Sequence, residues 1–391
     1  MGLIIIPHHR EYSFFPKILV QFLSSKAQAG YRYAVTSPDG SILVSMRDDI
    51  NLALSDFVKT GSQYLSNIGV ELNPVAVEIE KFLLDSGKRL RPLFAYVGLL
   101  STGKKPTPQM IKAVASLELI HVCALIHDDV MDNSDTRRGA PSIHKIFEAL
   151  HLKQKLSGSA SQFGSASAIL MGDLALVWSA QMLHTSGISD QELIGVLPFY
   201  DEMRVELMAG QYLDVFEQSL ATQSIERSMK VARFKSGKYT IERPLHFGGA
   251  LGNGSADLLK TFTEYGIPLG EAFQLRDDML GVFGNPKETG KPAGDDLREG
   301  KRTALIAATF DKADKTQTEV LNEYFGDPNL SDDQISLLQE IIVETGAQSH
   351  IESVIKQLAE TSLNALTYEG ISLEGKQLLQ ELVHLSTNRK I

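Results

Sequence analysis

From about Arg47 onward, apolar residues recur every three or four positions almost to the end of the chain, the period of helices that bury one face. In "HIESVIKQLAETSLNAL", Ile351, Val354, Ile355 and Leu358 form one such stripe. Start signals divide the pattern. Thr107 before Pro108 reads as an N-cap with proline at the first helical position, opening the run "PQMIKAVASLELIHVCALIHDD"; the N–H that proline lacks has no partner there anyway. Ser189 in "SDQE" and Ser331 in "SDDQ" read as capping boxes ahead of further apolar runs. Residues 1 to about 45 differ: "SPDGS" is a turn signal between two short β-leaning runs, "YRYAV" and "SILVS". They are read as a leader outside the core fold, whether an accessory strand pair, a disordered arm or an over-extended start before Met46. Residues 46–391 read as one all-α domain without repeat, low-complexity tract or long linker.

Composition narrows the function. Of the 391 residues, 43% are apolar, ample for a core, and the net charge of −10 argues against a nucleic-acid partner. The lone cysteine, Cys123, excludes an internal disulfide and a cysteine-only metal site. No uninterrupted apolar run approaches the roughly 18 residues of a membrane span. His8, His9 and Arg10 interrupt the start, "MGLIIIPHHREYSFF", so it makes no convincing signal peptide. The expectation is a cytoplasmic protein with no integral membrane segment.

The polar residues of the helix after Pro108 are not scattered. Glu118, His121, Leu125, Asp128 and Asp132 are spaced 3, 4, 3 and 4, so four polar groups share one stripe of an otherwise apolar helix. Such a stripe predicts a wet internal cavity. Asp128 and Asp132 stand one turn apart and can reach one cation; hard divalent ions favour such oxygen ligands, and Mg²⁺ commonly bridges carboxylates to substrate phosphates. A solvated acidic helix end is the plainer reading of this motif by itself. A second acidic pair, Asp277 and Asp278 in "EAFQLRDDMLGVFG", repeats the pattern, with Gln274 one turn before Asp278. Two such pairs facing each other across a bundle could hold Mg²⁺ ions and a diphosphate. Arginine forks match phosphate oxygens, and basic residues cluster in "SGKRLRP", "TRRG", "FKSGKYT" and "GKPAGDDLREGKRT". Any one cluster could be surface charge. Neither "GGALGNG" nor "EGKRT" is a glycine-loop phosphate motif, so diphosphate binding would rest on side chains and metals.

Taken in order, "GKRLRP", "LIHDDVMD" with "TRRGAPSIH", "MGDLAL", "GQYLD", "FKSGKYT", "FQLRDD" and "GKPAGDDLREGKRT" resemble the trans-isoprenyl diphosphate synthase, or polyprenyl synthetase, family, and geranylgeranyl diphosphate synthases most. The resemblance implies an isoprenoid synthase-type helical bundle around a central cavity, usually a homodimer, with up to three Mg²⁺ ions. It implies Asp128, Asp132 and Asp277 as metal ligands, with Asp129 and Asp278 beside them. Lys88, Arg91, His121 and Arg138 resemble the isopentenyl diphosphate site; Arg137, Lys235, Gln274, Lys291 and Lys301 resemble the allylic diphosphate site. Ser236 stands where the family often has threonine and keeps the hydroxyl near the carbocation. Gly281 departs from the family's usual DDxxD, leaving "DDMLG", and a water could take the missing carboxylate's position. His144 is read as structural.

The implied reaction is head-to-tail condensation of isopentenyl diphosphate with allylic diphosphates. The allylic C–O bond ionises, the isopentenyl double bond attacks the carbocation, and the departing pyrophosphate takes the proton. A terpene cyclase would need Asn/Asp, Ser/Thr and Glu at wider spacing in the second motif, and a silent subunit of a heteromeric synthase would tend to lose the aspartates or the arginine pair. Cys123 and Ala124 lie roughly 6–7.5 Å from Asp128 along the helix, where family members that stop at farnesyl diphosphate carry aromatic residues. Both are small, so the expected product is geranylgeranyl diphosphate, with farnesyl or longer polyprenyl diphosphates as alternatives.

Overall fold

A computed structural model describes residues 42–85, 87–220, 224–285 and 294–387, all within one compact unit. Fifteen helices are labelled here: α1 (Ile42–Ile68), α2 (Asn73–Leu84), α3 (Leu90–Ser101), α4 (Pro108–Met131), α5 (Ile143–Gln154), α6 (Ala160–His184), α7 (Asp190–Gln218), α8 (Ile225–Val231), α9 (Arg243–Leu251), α10 (Ala256–Phe283), α11 (Ala304–Lys312), α12 (Lys315–Tyr324), α13 (Asp332–Glu344), α14 (Ala347–Ala365) and α15 (Leu373–Thr387). Between α8 and α9 the backbone widens into a π-helix, Ala232–Glu242. The described strands are β1 (Thr136–Arg137) and β2 (Ala140–Pro141), an antiparallel pair pairing Arg137 with Ala140. The all-α reading holds.

The expected caps are present. The Thr107 side chain accepts from the Met110 N–H, and both capping boxes close, Ser189 with Glu192 and Ser331 with Gln334. The first helix is a correction. It begins at Ile42 rather than near Arg47, and the β-leaning "ILVS" is helical. Leu43, Met46, Ile50 and Leu54 form one buried stripe, and burying that stripe overrides weak strand propensity. "YRYAV" and "SPDGS" lie outside the described residues.

α4 is the axis of the bundle. Apart from its polar stripe it is apolar, as a largely buried helix is, and it packs against α1, α3 and α6. α10 runs against the π-helix and α14, and its Leu275, Met279 and Val282 join Leu338, Ile342 and Ile351 in an apolar cluster. α4 and α6 are long and apolar enough to cross a membrane, but the most apolar window of α4 is 72% buried in the bundle, and α4 carries the polar stripe.

Candidate active site

The charged motifs converge on one cavity of about 870 Å³. Glu118, His121, Leu125 and Asp128 of the α4 stripe line it, as does Ala124, whereas the side chains of Asp129 and Asp132 are buried beside it and do not line it. α10 contributes Gln274, Asp277, Asp278 and Gly281; the π-helix contributes Lys235, Ser236 and Tyr239. Lys88 and Arg91 enter from the start of α3, and Lys301 from the segment before α11. Arg137 and Arg138 reach the cavity from the β1–β2 hairpin. Its turn places Arg138 (φ 53°) and Gly139 (φ 76°) in left-handed conformations, the geometry of a tight hairpin whose central residues both need positive φ.

The charges separate into two walls. One is carboxylate-rich. Lys235 Nζ lies 3.1 Å from Asp128 Oδ1 and 2.6 Å from Asp214 Oδ2; Gln211 Nε2 donates to Asp128 at 2.9 Å. Arg137 grips Asp129 through Nε (2.8 Å) and Nη2 and also approaches Asp128. Lys301 Nζ reaches Glu299 (2.7 Å), Asp132 (3.5 Å) and Asp296 (3.7 Å). Gln274 Nε2 donates to Asp278 Oδ1 at 2.7 Å. Burial alone would raise the Asp128 carboxyl, but Lys235, Lys301 and Arg137 outweigh it and hold Asp128 below the usual carboxylate range. Asp132 is pushed up to about 6 by burial and by Asp128 beside it. Burial, with Asp296 and Asp277 near, pushes Asp278 up to about 8.

Burial raises the Asp132 and Asp278 carboxyls, and a divalent cation would take the place of the protons they favour. The donors here are all hard oxygens. Among the described residues no three His, Cys, Asp or Glu side chains meet at one point, and Mg²⁺ is commonly held by one or two carboxylates plus phosphate oxygens. The donor chemistry therefore suits a hard divalent cation such as Mg²⁺, which Asp128, Asp132 and Asp277 would hold together with phosphate oxygens.

The other wall is basic. Arg91 lies over the Tyr239 ring, 4.5 Å from its centre, and donates to Thr240 Oγ1 at 2.9 Å. His121 Nδ1 is 3.0 Å from the Tyr239 hydroxyl. Burial, with Arg91 and Arg138 adding, keeps the His121 pKa well below its usual value, so the ring is neutral. With Tyr239 donating to Nδ1, Nε2–H is left to donate to an anionic oxygen. Arg89 takes no part in this wall's chemistry. Its guanidinium is spent on Glu118 (2.9 Å), Asn51 and the Leu83 carbonyl, with both charged side chains only 2% exposed.

Cys123 and Gly281 differ from expectation. Cys123 is fully buried and does not line the cavity. Its Sγ lies 3.7 Å from His127 Nδ1 on the side of α4 that faces α6, where His127 Nε2 meets the Ile169 carbonyl. One residue along a helix is about a 100° rotation, enough to leave Ala124 on the wall and Cys123 behind it. Lys291 lies outside the described residues. The space beside Gly281 is not left to water: the Asp296 carboxylate fills it. His144 is buried, 3.1 Å from the Ser142 hydroxyl, and does not line the cavity.

Gln211, Asp214, Tyr239 and Asp296 were not identified from sequence. The first two belong to "GQYLD", noted for resemblance but given no role; their three-residue spacing on α7 was the available signal.

The polyprenyl synthetase family model matches residues 75–342. A geranylfarnesyl diphosphate synthase from Aeropyrum pernix is 30% identical over 308 residues, covering 78% of this chain and 90% of that one. A short chain isoprenyl diphosphate synthase from Methanocaldococcus jannaschii is 32% identical over 66% of this chain and 73% of its own. A crystal structure of geranylgeranyl pyrophosphate synthase from Corynebacterium glutamicum, complexed with isoprenyl diphosphate and magnesium, superposes with a TM-score of 0.86 at 40% identity, over 89% of this chain and 99% of that one. With its motifs gathered around one cavity and the family model spanning most of its length, the chain belongs to the polyprenyl synthetase family.

Proposed function

We propose that the chain condenses isopentenyl diphosphate with an allylic diphosphate, head to tail, and releases geranylgeranyl diphosphate. The observation that carries this reading is a single cavity with two charged walls of different kind. The carboxylate-rich wall suits a diphosphate held with up to three Mg²⁺ ions at Asp128, Asp132 and Asp277. The basic wall suits a diphosphate held by Lys88, Arg91, Arg138 and His121 without metal.

Asp128, Asp132 and Asp277 would hold Mg²⁺, which when bound would supply countercharge to the allylic diphosphate and so favour loss of pyrophosphate. Arg137, Lys235, Gln274 and Lys301 add donors where negative charge grows on the leaving pyrophosphate, the most effective position for catalysis by electrostatics. The neutral His121 donates through Nε2 and orients isopentenyl diphosphate without adding charge beside the carbocation. The Ser236 hydroxyl, kept near that cation, offers a dipole in place of a nucleophile. Leu125, Leu207, Phe273 and Leu280 also line the cavity and would keep water from the allylic cation.

The C20 product is supported by the small Ala124 on the wall and by the 40%-identical geranylgeranyl pyrophosphate synthase. The geranylfarnesyl synthase among the relatives favours a longer product as the second reading. The test is to incubate the purified chain with Mg²⁺, isopentenyl diphosphate and each allylic primer and to size the products. A C20 product supports the reading; no condensation with any primer overturns it.

The same reading makes the protein a cytoplasmic homodimer. Val205, Met208, Tyr212 and Phe216 on α7, and Ile169, Leu170 and Val177 on α6, are apolar yet exposed, as faces covered by another protein surface are. A second copy is the proposed cover, and a monomeric mass in sedimentation at micromolar concentration would exclude it.

A further inference from the structure

Gly281 is one turn past Asp277 on α10, so a side chain there would share the face that carries Asp277. The position is already filled. A Cβ built on Gly281 would sit 1.9 Å from Asp296 Oδ2 and 2.4 Å from its Cγ. Asp296 comes from the short helical turn Asp295–Arg298, which packs on α10. Its carboxylate thus occupies the volume in which a side chain at 281 would begin. It lines the same cavity as Asp277 and Asp278 and is close enough to Asp278 to help raise that carboxyl. The residue is nine-tenths buried, and Lys301, 3.7 Å away, is a cation it shares with Asp132 and Glu299.

We propose that Asp296 supplies, from the segment after α10, the carboxylate that α10 lacks at Gly281, and completes the donor set of the divalent cation at Asp277. Gly281 is then a steric requirement: it is the opening through which that carboxylate reaches the face of α10. This rests on the metal-dependent reading above. A structural role, in which Asp296 only balances Lys301, would need the charge near Lys301 but would not tolerate its transfer to residue 281.

Mn²⁺ and inorganic pyrophosphate are the probes, and uptake by the full chain is followed by calorimetry and by the Mn²⁺ resonance signal. Asp296→Asn keeps the volume and removes the charge. It should weaken uptake of one Mn²⁺ by about ten- to a hundredfold, the usual loss when a metal's supporting carboxylate is removed, with an unchanged helical spectrum. Gly281→Asp alone should lower the melting temperature, because the site is full. Gly281→Asp combined with Asp296→Ala should regain most of the affinity that Asp296→Ala loses, since the carboxylate returns from the opposite element. Wild-type uptake by Asp296→Asn, or a folded double variant as weak as Asp296→Ala, overturns the proposal and leaves the metal-dependent reading intact. No uptake by the wild type would overturn both.

Discussion

At the scale of single residues, the direction of a side chain decides more than its type. Ala124 and Cys123 are neighbours of similar size, yet only Ala124 faces the cavity. Ala124→Phe should therefore shorten the product toward farnesyl diphosphate, read by chromatography of the chains. Cys123→Phe should leave product length unchanged and overpack the α4–α6 contact, at about 1–3 kcal/mol of stability, read by denaturant unfolding. A shortened product from Cys123→Phe would contradict the orientation described here. Asp128→Ala and Asp277→Ala should each slow turnover by several orders of magnitude while circular dichroism stays helical. Near-normal turnover for either would move the metal site elsewhere. Arg89 is a different case. It was visible as one member of a basic cluster, but both it and Glu118 are buried. Arg89→Ala would strand a buried carboxylate, which typically costs about 3–5 kcal/mol.

At the scale of elements, the π-helix is what brings Lys235, Ser236 and Tyr239 to the cavity together. Such widened turns are concentrated at functional sites. The neighbouring α7 accommodates it at Gly210, whose Cβ would stand 2.2 Å from the Lys235 backbone nitrogen. Backbone cannot yield as a flexible side-chain end can. Gly210→Ala should therefore push the π-helix off α7 and shift Lys235 away from Asp128 and Asp214. The expected outcome is a loss of kcat larger than the loss of melting temperature would explain. Unchanged kinetics would mean that the two elements slide apart without cost to the site.

At the scale of the whole molecule, stability should depend on pH through groups that the fold keeps neutral. His246 on α9 is buried against Phe199 and bonds to the Leu259 carbonyl at 2.9 Å. Burial, with Arg243 and Lys238 adding, brings it down to about 4 despite that carbonyl. Its folded value lies below its unfolded one, so its contribution is complete above about pH 6.5 and is lost as pH falls toward 4. The slope is at most about 1.4 kcal/mol per pH unit, one proton's worth. Asp132 and Asp278 shift the opposite way, so the difference between wild type and His246→Gln isolates this group. A Gln variant whose unfolding free energy has the same pH slope between 4 and 6.5 would refute the assignment. Ligand linkage acts at the same scale. Mg²⁺ and pyrophosphate together should raise the melting temperature more than the sum of either alone, because each completes the other's coordination.

The helices, their caps, the α4 polar stripe and the two aspartate pairs were legible in the sequence, because capping and helical periodicity are local: residues three or four apart must share a face whatever packs against them. So was the need for countercharge at the cavity, since paired carboxylates in apolar helices require it wherever they meet. Other features needed the tertiary structure. Whether Cys123 or Ala124 faces the substrate depends on a rotation of α4 that only α6 and the π-helix fix. Asp214 and Asp296 come from segments distant from the first motif, and nothing in their own neighbourhoods shows which carboxylate they will meet. Gly281 reads as a loss in the sequence and as room for Asp296 in the fold, because two groups can compete for one volume only once the chain has brought them together.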